Sequence, residues 1–440
     1  MQRYMIMAIA CIVSMGSIHA AEGDGPSVPS RQMQAEYNAD PAISSNPGVV
    51  DRETGTGALG RALGFKPESG IRVGGLWIGD VNYLFHGGVK PRKWSGNNLA
   101  QLSLHIDTEK FSNWKGGLFG VECLQFNGRP TNTQAGSVQG YNSLVGPPPR
   151  HRCELYQLWF RQELFDQKLT VRIGKMVPQY DFNNVIRPIP IVEKNLNIPS
   201  ATGLLYTPIF VNPSMLGVLP GYYNSAYGLA ATLMPVQSSY LSYGIFDGNL
   251  ARGKQTGLRG PHFGEYRFQI TETGYGWSIG AMKLLGNIGI GAWQQSGKLF
   301  ATHLAGHRMT EHGARGTYLF GSQRLWRRYQ NINSGIIGFW QFGVNNSKTL
   351  RMKKSYGAGL TFLGLVPGRL KDSFGFGISW AKLNKNLFVR EHELMCQGYY
   401  QMHLFQDVFF VSALTYIPHP GAAPNLSAAW AATARIIALF

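Results

Sequence analysis

The feature that most restricts this chain is a period of two in its apolar pattern, repeated from Ile71 almost to the C-terminus. In Ser373 to Ala381 one parity carries Phe374, Phe376, Ile378 and Trp380, and the other Ser373, Gly375, Gly377, Ser379 and Ala381. From Leu394 to Leu404 the parity Leu394, Cys396, Gly398, Tyr400 and Met402 faces Met395, Gln397, Tyr399, Gln401 and His403. Leu102, Leu104 and Ile106 alternate with Gln101, Ser103 and His105, and Tyr156, Leu158 and Phe160 with Gln157, Trp159 and Arg161. Alternation places successive side chains on opposite faces of a strand, here one oily face and one wet one. Helical membrane spans are excluded. The uncharged stretch Leu196 to Phe246 is interrupted by Pro199, Pro208, Pro213, Pro220 and Pro235 before about twenty apolar residues accumulate.

A two-sheet sandwich alternates as well, so strand and connection lengths must decide. About sixteen strands of roughly nine to twelve residues are predicted, centred from Trp77 through Arg172 and Gly289 to Ala434, a length suited to a tilted membrane crossing. Odd-numbered connections are mostly long, including Asn127 to Arg152, Pro178 to Asn224, Gly248 to His262 and Gly297 to His312. Even-numbered ones are mostly short, such as Phe165-Asp166-Gln167. This asymmetry predicts an all-β fold, a transmembrane outer-membrane β-barrel of antiparallel strands with both termini in the periplasm.

Residues 1–20 read as a signal peptide, with Arg3, the apolar run Met5 to Met15 and small residues near Ala20. Residues 21–70 read as a periplasmic leader with a short helix around Gly57 to Phe65, and 71–440 as the barrel. Only 15% of residues are charged, against about a quarter in soluble domains, so much of the surface faces something other than water. The last parity, Trp430, Ala432, Ala434, Ile436, Ala438 and Phe440, resembles the signal by which bacterial barrel-assembly machinery recognises its clients. Cys123 and Cys153 flank a long connection where a disulfide is open, and Cys396 lies on the lipid parity.

Several segments resemble the carbohydrate-selective porin (OprB) family: Leu164 to Lys175 followed by Asp181-Phe182, Gly79-Asp80-Val81 with His86-Gly87-Gly88, Ile245-Phe246-Asp247-Gly248, and Glu272 to Trp277. Leu59 to Phe65 lacks the tryptophan that the family often carries ahead of its first strand. The resemblance implies a roughly sixteen-stranded sugar channel in the outer membrane of a Gram-negative bacterium, needing no cofactor and no metal.

A barrel of that size leaves an aqueous lumen, so selectivity rests on a constriction. The loop Pro178 to Asn224 is predicted to fold inward, bringing Asp181, Arg187 and Glu193, while the adjoining wall supplies Trp159, Arg161, Glu163 and Arg172, and a later strand Glu265 and Arg267. Arg and Glu offer donors and acceptors to sugar hydroxyls, and aromatic faces meet the C–H side of a pyranose. The charge of +17 leaves an anion- or phosphate-preferring porin as the alternative, or else meets lipopolysaccharide phosphates at the rim through Lys90, Arg92 and Lys93. A secreted β-sandwich carbohydrate-binding protein is the non-channel alternative, and trimer or monomer is left open. Nucleic acid is a poor partner, because the basic residues are dispersed over both parities. An enzyme is disfavoured: HExxH and CxxC motifs are missing, His303, His307 and His312 are loosely spaced, and Arg390 to Glu393 reads as a solvated rim.

Overall fold

A computed structural model describes residues 50–51, 57–145, 149–183, 185, 199–200, 202–220, 224–236, 238–252, 261, 263–281, 284–328, 331–405 and 407–440. The predicted signal peptide lies outside the described residues, as do Arg187 and Glu193. Of the predicted leader, residues 50–51 and 57–70 are described, and a short helix spans Ala58–Ala62.

Among the described residues, sixteen antiparallel strands close into a barrel. They are β1 Ile71–His86, β2 Lys93–Asp107, β3 Gly117–Asn127, β4 His151–Leu164, β5 Leu169–Met176, β6 Ala226–Val236, β7 Ser239–Asp247 and β8 Arg267–Ile279. The second half comprises β9 Leu284–Thr302, β10 Arg308–Arg328, β11 Asn331–Asn345, β12 Met352–Leu363, β13 Ser373–Leu383, β14 His392–Phe405, β15 Val408–Ile417 and β16 Ala429–Leu439. Each strand pairs with its sequence neighbours, and β16 pairs with β1 from Trp430↔His86 to Leu439↔Leu76. Closure satisfies the ladder groups that lipid cannot. Phe440 completes the seam by exchanging backbone hydrogen bonds with Gly75 at 2.7 and 2.9 Å. Among the described residues no helix is long and apolar enough to span a membrane.

The alternation produces two walls. Val81, Leu102, Phe119, Leu158, Ile173, Phe376, Ile378 and Leu414 are exposed on the outer face, whereas Asp80, Gln101, Glu122, Gln157, Arg172 and Arg435 are buried on the inner one. The periplasmic turns are shaped locally. Asp107 caps the helix Thr108–Ser112 by accepting from the Glu109 amide at 3.0 Å, and Asn113 ends it at φ 60°. The β4–β5 turn places Phe165, Asp166 and Gln167 all at positive φ.

Three expectations change. Strand lengths run from 8 to 21 residues, wider than predicted. The connection predicted over Gly297 to His312 is largely strand, since β9 continues to Thr302 and β10 begins at Arg308 after a bulge between Gln295 and Lys298. In β4 a bulge opposite Glu122 and Cys123 removes Tyr156 from the outward row, and its ring is buried. Cys123 and Cys153 form no disulfide and are exposed on the outer face of neighbouring strands.

Two connections, not one, turn into the barrel. Residues 128–150 cross to β14, where the Glu393 carboxylate accepts from the Val138 and Gln139 amides, both at 2.9 Å, and from Ser137 Oγ at 3.1 Å. Glu393 is fully buried and also accepts from the Gly421 amide at 2.7 Å, so this part of the predicted solvated rim points inward. Residues 177–225 reach β11 through Gln341, whose Nε2 donates to the Pro208 carbonyl at 2.5 Å. The two connections also bond each other, Ser143 N to Leu205 O at 2.7 Å and Thr207 N to Gly140 O at 2.9 Å.

Candidate functional site

The inner wall of β2 to β5 and the start of the 177–225 connection form one polar cluster. Gly120 and Gly174 flank Trp159: a Cβ at Gly120 would lie 2.2 Å from the indole ring, and one at Gly174, already at φ 137°, would lie 2.7 Å from the Trp159 Cα. The two glycines let a large indole lie against the wall, where it is 2% exposed. Above it the Arg172 guanidinium sits 5.6 Å from the ring centroid, and His105 approaches at 5.7 Å between centroids.

Arg172 pairs with Asp181, both 1% exposed, and donates from Nη2 to the Val177 carbonyl at 3.3 Å. Arg161, in register with Arg172, lies 3.4 Å from Glu163. The structure therefore brings Trp159, Arg161, Glu163, Arg172 and Asp181 together. It does not add Glu265 or Arg267. Glu265 is exposed in the turn before β8, and Arg267 is exposed on the outward parity. The reason is that β8 turns its oily parity inward: Phe268 and Ile270 are buried, Phe268 stacks on Trp293 at 6.2 Å, and the loop residue Phe182 meets Phe246 edge-on at 6.3 Å.

Four inward groups were not singled out from the sequence. Glu122 is fully buried and accepts from Gln101 and Gln157 Nε2, both at 2.6 Å. Glu272 accepts from the hydroxyls of Tyr240 and Tyr318, both at 2.7 Å, and from the Asn183 amide at 2.6 Å, which ties the loop start to β8. Asp80 and Arg435 form a fully buried pair at 2.8 Å across the β16–β1 seam, joined by Asn142. Gln397 accepts from the Leu205 amide at 2.6 Å and donates to the Tyr141 carbonyl at 3.1 Å, holding both inward connections. Burial pushes the phenols of Tyr141 and Tyr206 above their ordinary value, so both stay neutral donors. The alternation gave no signal for Glu122 or Glu272, since each shares its parity with apolar residues, Leu118 and Leu124 for the first and Phe268 and Ile270 for the second.

Several atoms of the cluster have no hydrogen-bond partner among the described residues: Arg172 Nε and Nη1, Trp159 Nε1, and both amide atoms of Asn183. Buried polar atoms left this way carry a free-energy cost that water or a hydroxylated solute can relieve. Arg172, Arg161, Arg435 and Arg152 each lie beside a carboxylate, Asp181, Glu163, Asp80 and Glu154 respectively. Each of these pairs can exchange hydrogen bonds with a neutral polyol without offering a net charge of its own. Among the described residues no group of His, Cys, Asp and Glu is arranged to hold a metal ion.

Residues 95–436 match the family described as carbohydrate-selective porin, OprB family. Porin B of Pseudomonas aeruginosa is 22% identical over 409 residues, covering 83% of this chain and 86% of that protein. Two solved structures of Pseudomonas putida OprB are similar in fold. The high-pH form has a TM-score of 0.73 at 18% identity, covering 89% of this chain and 99% of its own. The low-pH form has a TM-score of 0.54 at 16% identity with the same coverage.

Proposed function

The chain belongs to the carbohydrate-selective porin, OprB family, and from that premise we propose that its preferred solutes are hexose-like sugars and that Trp159, Arg161, Glu163, Arg172 and Asp181 form the neck that selects them. It is a porin of the Gram-negative outer membrane, a channel rather than an enzyme. Sugars cross by diffusion through the lumen. At the neck, ring hydroxyls exchange with water at the Glu163 carboxylate, the least buried of the five, while the buried Trp159 and Arg172 fix the wall and the loop start that shape the passage. Because the neck is rigid and already desolvated, hydroxyls are exchanged one set at a time and the solute is never held tightly.

The observation that carries this reading is the pairing of Arg172 with Asp181 and of Arg161 with Glu163. An anion-preferring neck needs uncompensated cations, and here the unpaired atoms are donors on groups whose charge is already neutralised. The positive surplus of the chain therefore gives little support to anion selection.

Current through single channels in a planar bilayer tests the assignment. Glucose is expected to interrupt the ion current of the wild type. Trp159→Ala and Arg172→Gln are expected to shorten those interruptions by roughly five- to ten-fold, about 1 kcal/mol each, because the wall they hold in place shifts. Interruptions of unchanged length in both variants would exclude this neck.

A further inference from the structure

Part of the surplus positive charge stands in an ordered row on the outer wall. A bulge at Lys353 sets Lys354 of β12 directly opposite Lys382 of β13, and Lys382 in turn faces His392 of β14. All three side chains are exposed and share the outward parity. They stand at the extracellular ends of their strands, beside the connections 346–351 and 384–391. Like charges placed directly opposite on a sheet destabilise it. Neither lysine has a salt-bridge partner among the described residues. Glu393, the residue next to His392 on β14, faces the other way into the lumen.

One residue pair further toward the membrane centre lies a shelf of outward rings. Phe342, Tyr356 and Trp380 are in register on β11, β12 and β13, with centroids 5.0 and 5.4 Å apart, and Trp380 stacks on His392 at 6.2 Å. A cationic row above an aromatic shelf matches a ligand with anionic groups at its head and hydrocarbon below. Its depth is that of the interface where amphipathic rings concentrate. By contrast Lys90, which is exposed in the β1–β2 connection, Arg92 and Lys93 have no comparable row of paired cations.

We propose that Lys354, Lys382 and His392 bind the phosphate groups of a phosphorylated glycolipid of the outer leaflet, with its acyl chains descending over Phe342, Tyr356 and Trp380. The phosphates neutralise the facing lysines, and the rings exclude water from the contact, which strengthens it. This rests on the outer-membrane placement of the barrel and not on which solute the lumen passes.

Delipidated full-length protein in detergent, titrated with diphosphoryl lipid A and read by native mass spectrometry, tests the site. Wild type is expected to retain lipid A, and the K354S/K382S variant to bind it roughly ten-fold or more weakly, the loss of one or more charge-assisted contacts. K354R/K382R is expected to bind like wild type, phosphate-free lipid A to bind wild type poorly, and inorganic phosphate alone to compete weakly. Equal retention of lipid A by folded K354S/K382S would overturn the proposal, as would equal binding of the phosphate-free lipid to wild type. Full competition by inorganic phosphate would reduce the site to an ion site and overturn it too. Glucose flux through K354S/K382S is expected to match wild type, which separates this site from the neck.

Discussion

At the scale of single residues, the proposed neck rests on charges held in pairs. Removing the carboxylate with Asp181→Asn leaves Arg172 buried beside a neutral amide. Breaking a buried pair costs about 3–5 kcal/mol, so the urea midpoint of the variant in micelles is expected to fall. Its reversal potential in a salt gradient is expected to move toward anion preference, because the guanidinium is no longer neutralised; an unmoved potential would mean that Arg172 does not govern the ion path. Gly120→Val places a side chain where the indole lies, 2.2 Å from it at the Cβ. That variant is expected to lose glucose interruption of the current as Trp159→Ala does, although it removes no polar group. The neck residues on β4 and β5 were legible in the sequence because the alternation there is regular near Trp159. Glu265 and Arg267 were misplaced for a physical reason. The rule that oily residues face lipid reverses at β8, where Phe268 and Ile270 pack inward among Trp293 and other inner-wall rings.

At the scale of elements, the described parts of the two inward connections are held to the wall by few side chains. Glu393 receives three backbone N–H groups and a hydroxyl, all of which need an acceptor. Glu393→Gln turns an –NH2 toward some of those donors, so the 128–150 connection is expected to loosen. Faster tryptic cleavage at Arg129 or Arg150, with a larger and noisier single-channel current, is the expected outcome; unchanged cleavage and current would show that Gln139 and Asn142 hold the connection without Glu393. The inward turn of 177–225 was foreseeable from its length and its want of charge. That of 128–150 was not, because its anchors lie some 250 positions away in sequence, as Gln139 to Glu393 does. A loop charged only at Arg129 and Arg150 and rich in Gly and Pro reads the same whether it lies over the rim or inside the bore.

At the scale of the whole molecule, the barrel follows directly from the period of two. The predicted centres, from Trp77 in β1 to Ala434 in β16, fall inside observed strands because each wall demands its own parity and a one-residue slip would reverse both. Strand ends were harder to place, since the hairpin of β9 and β10 runs past the alternating stretch on ladder pairing alone. Closure depends on the seam. Removal of Phe440, which bonds Gly75 through both backbone groups, is expected to lower the yield of heat-modifiable barrel in outer membranes, while normal yield would place the assembly signal elsewhere. The central claim is that a neck of neutralised charges passes neutral sugars in preference to anions. Swelling of proteoliposomes measures it most directly, comparing glucose with gluconate, which is of similar size. The account predicts faster swelling in glucose than in gluconate, with the difference reduced in Asp181→Asn. Gluconate entering as fast as glucose or faster in the wild type would contradict it.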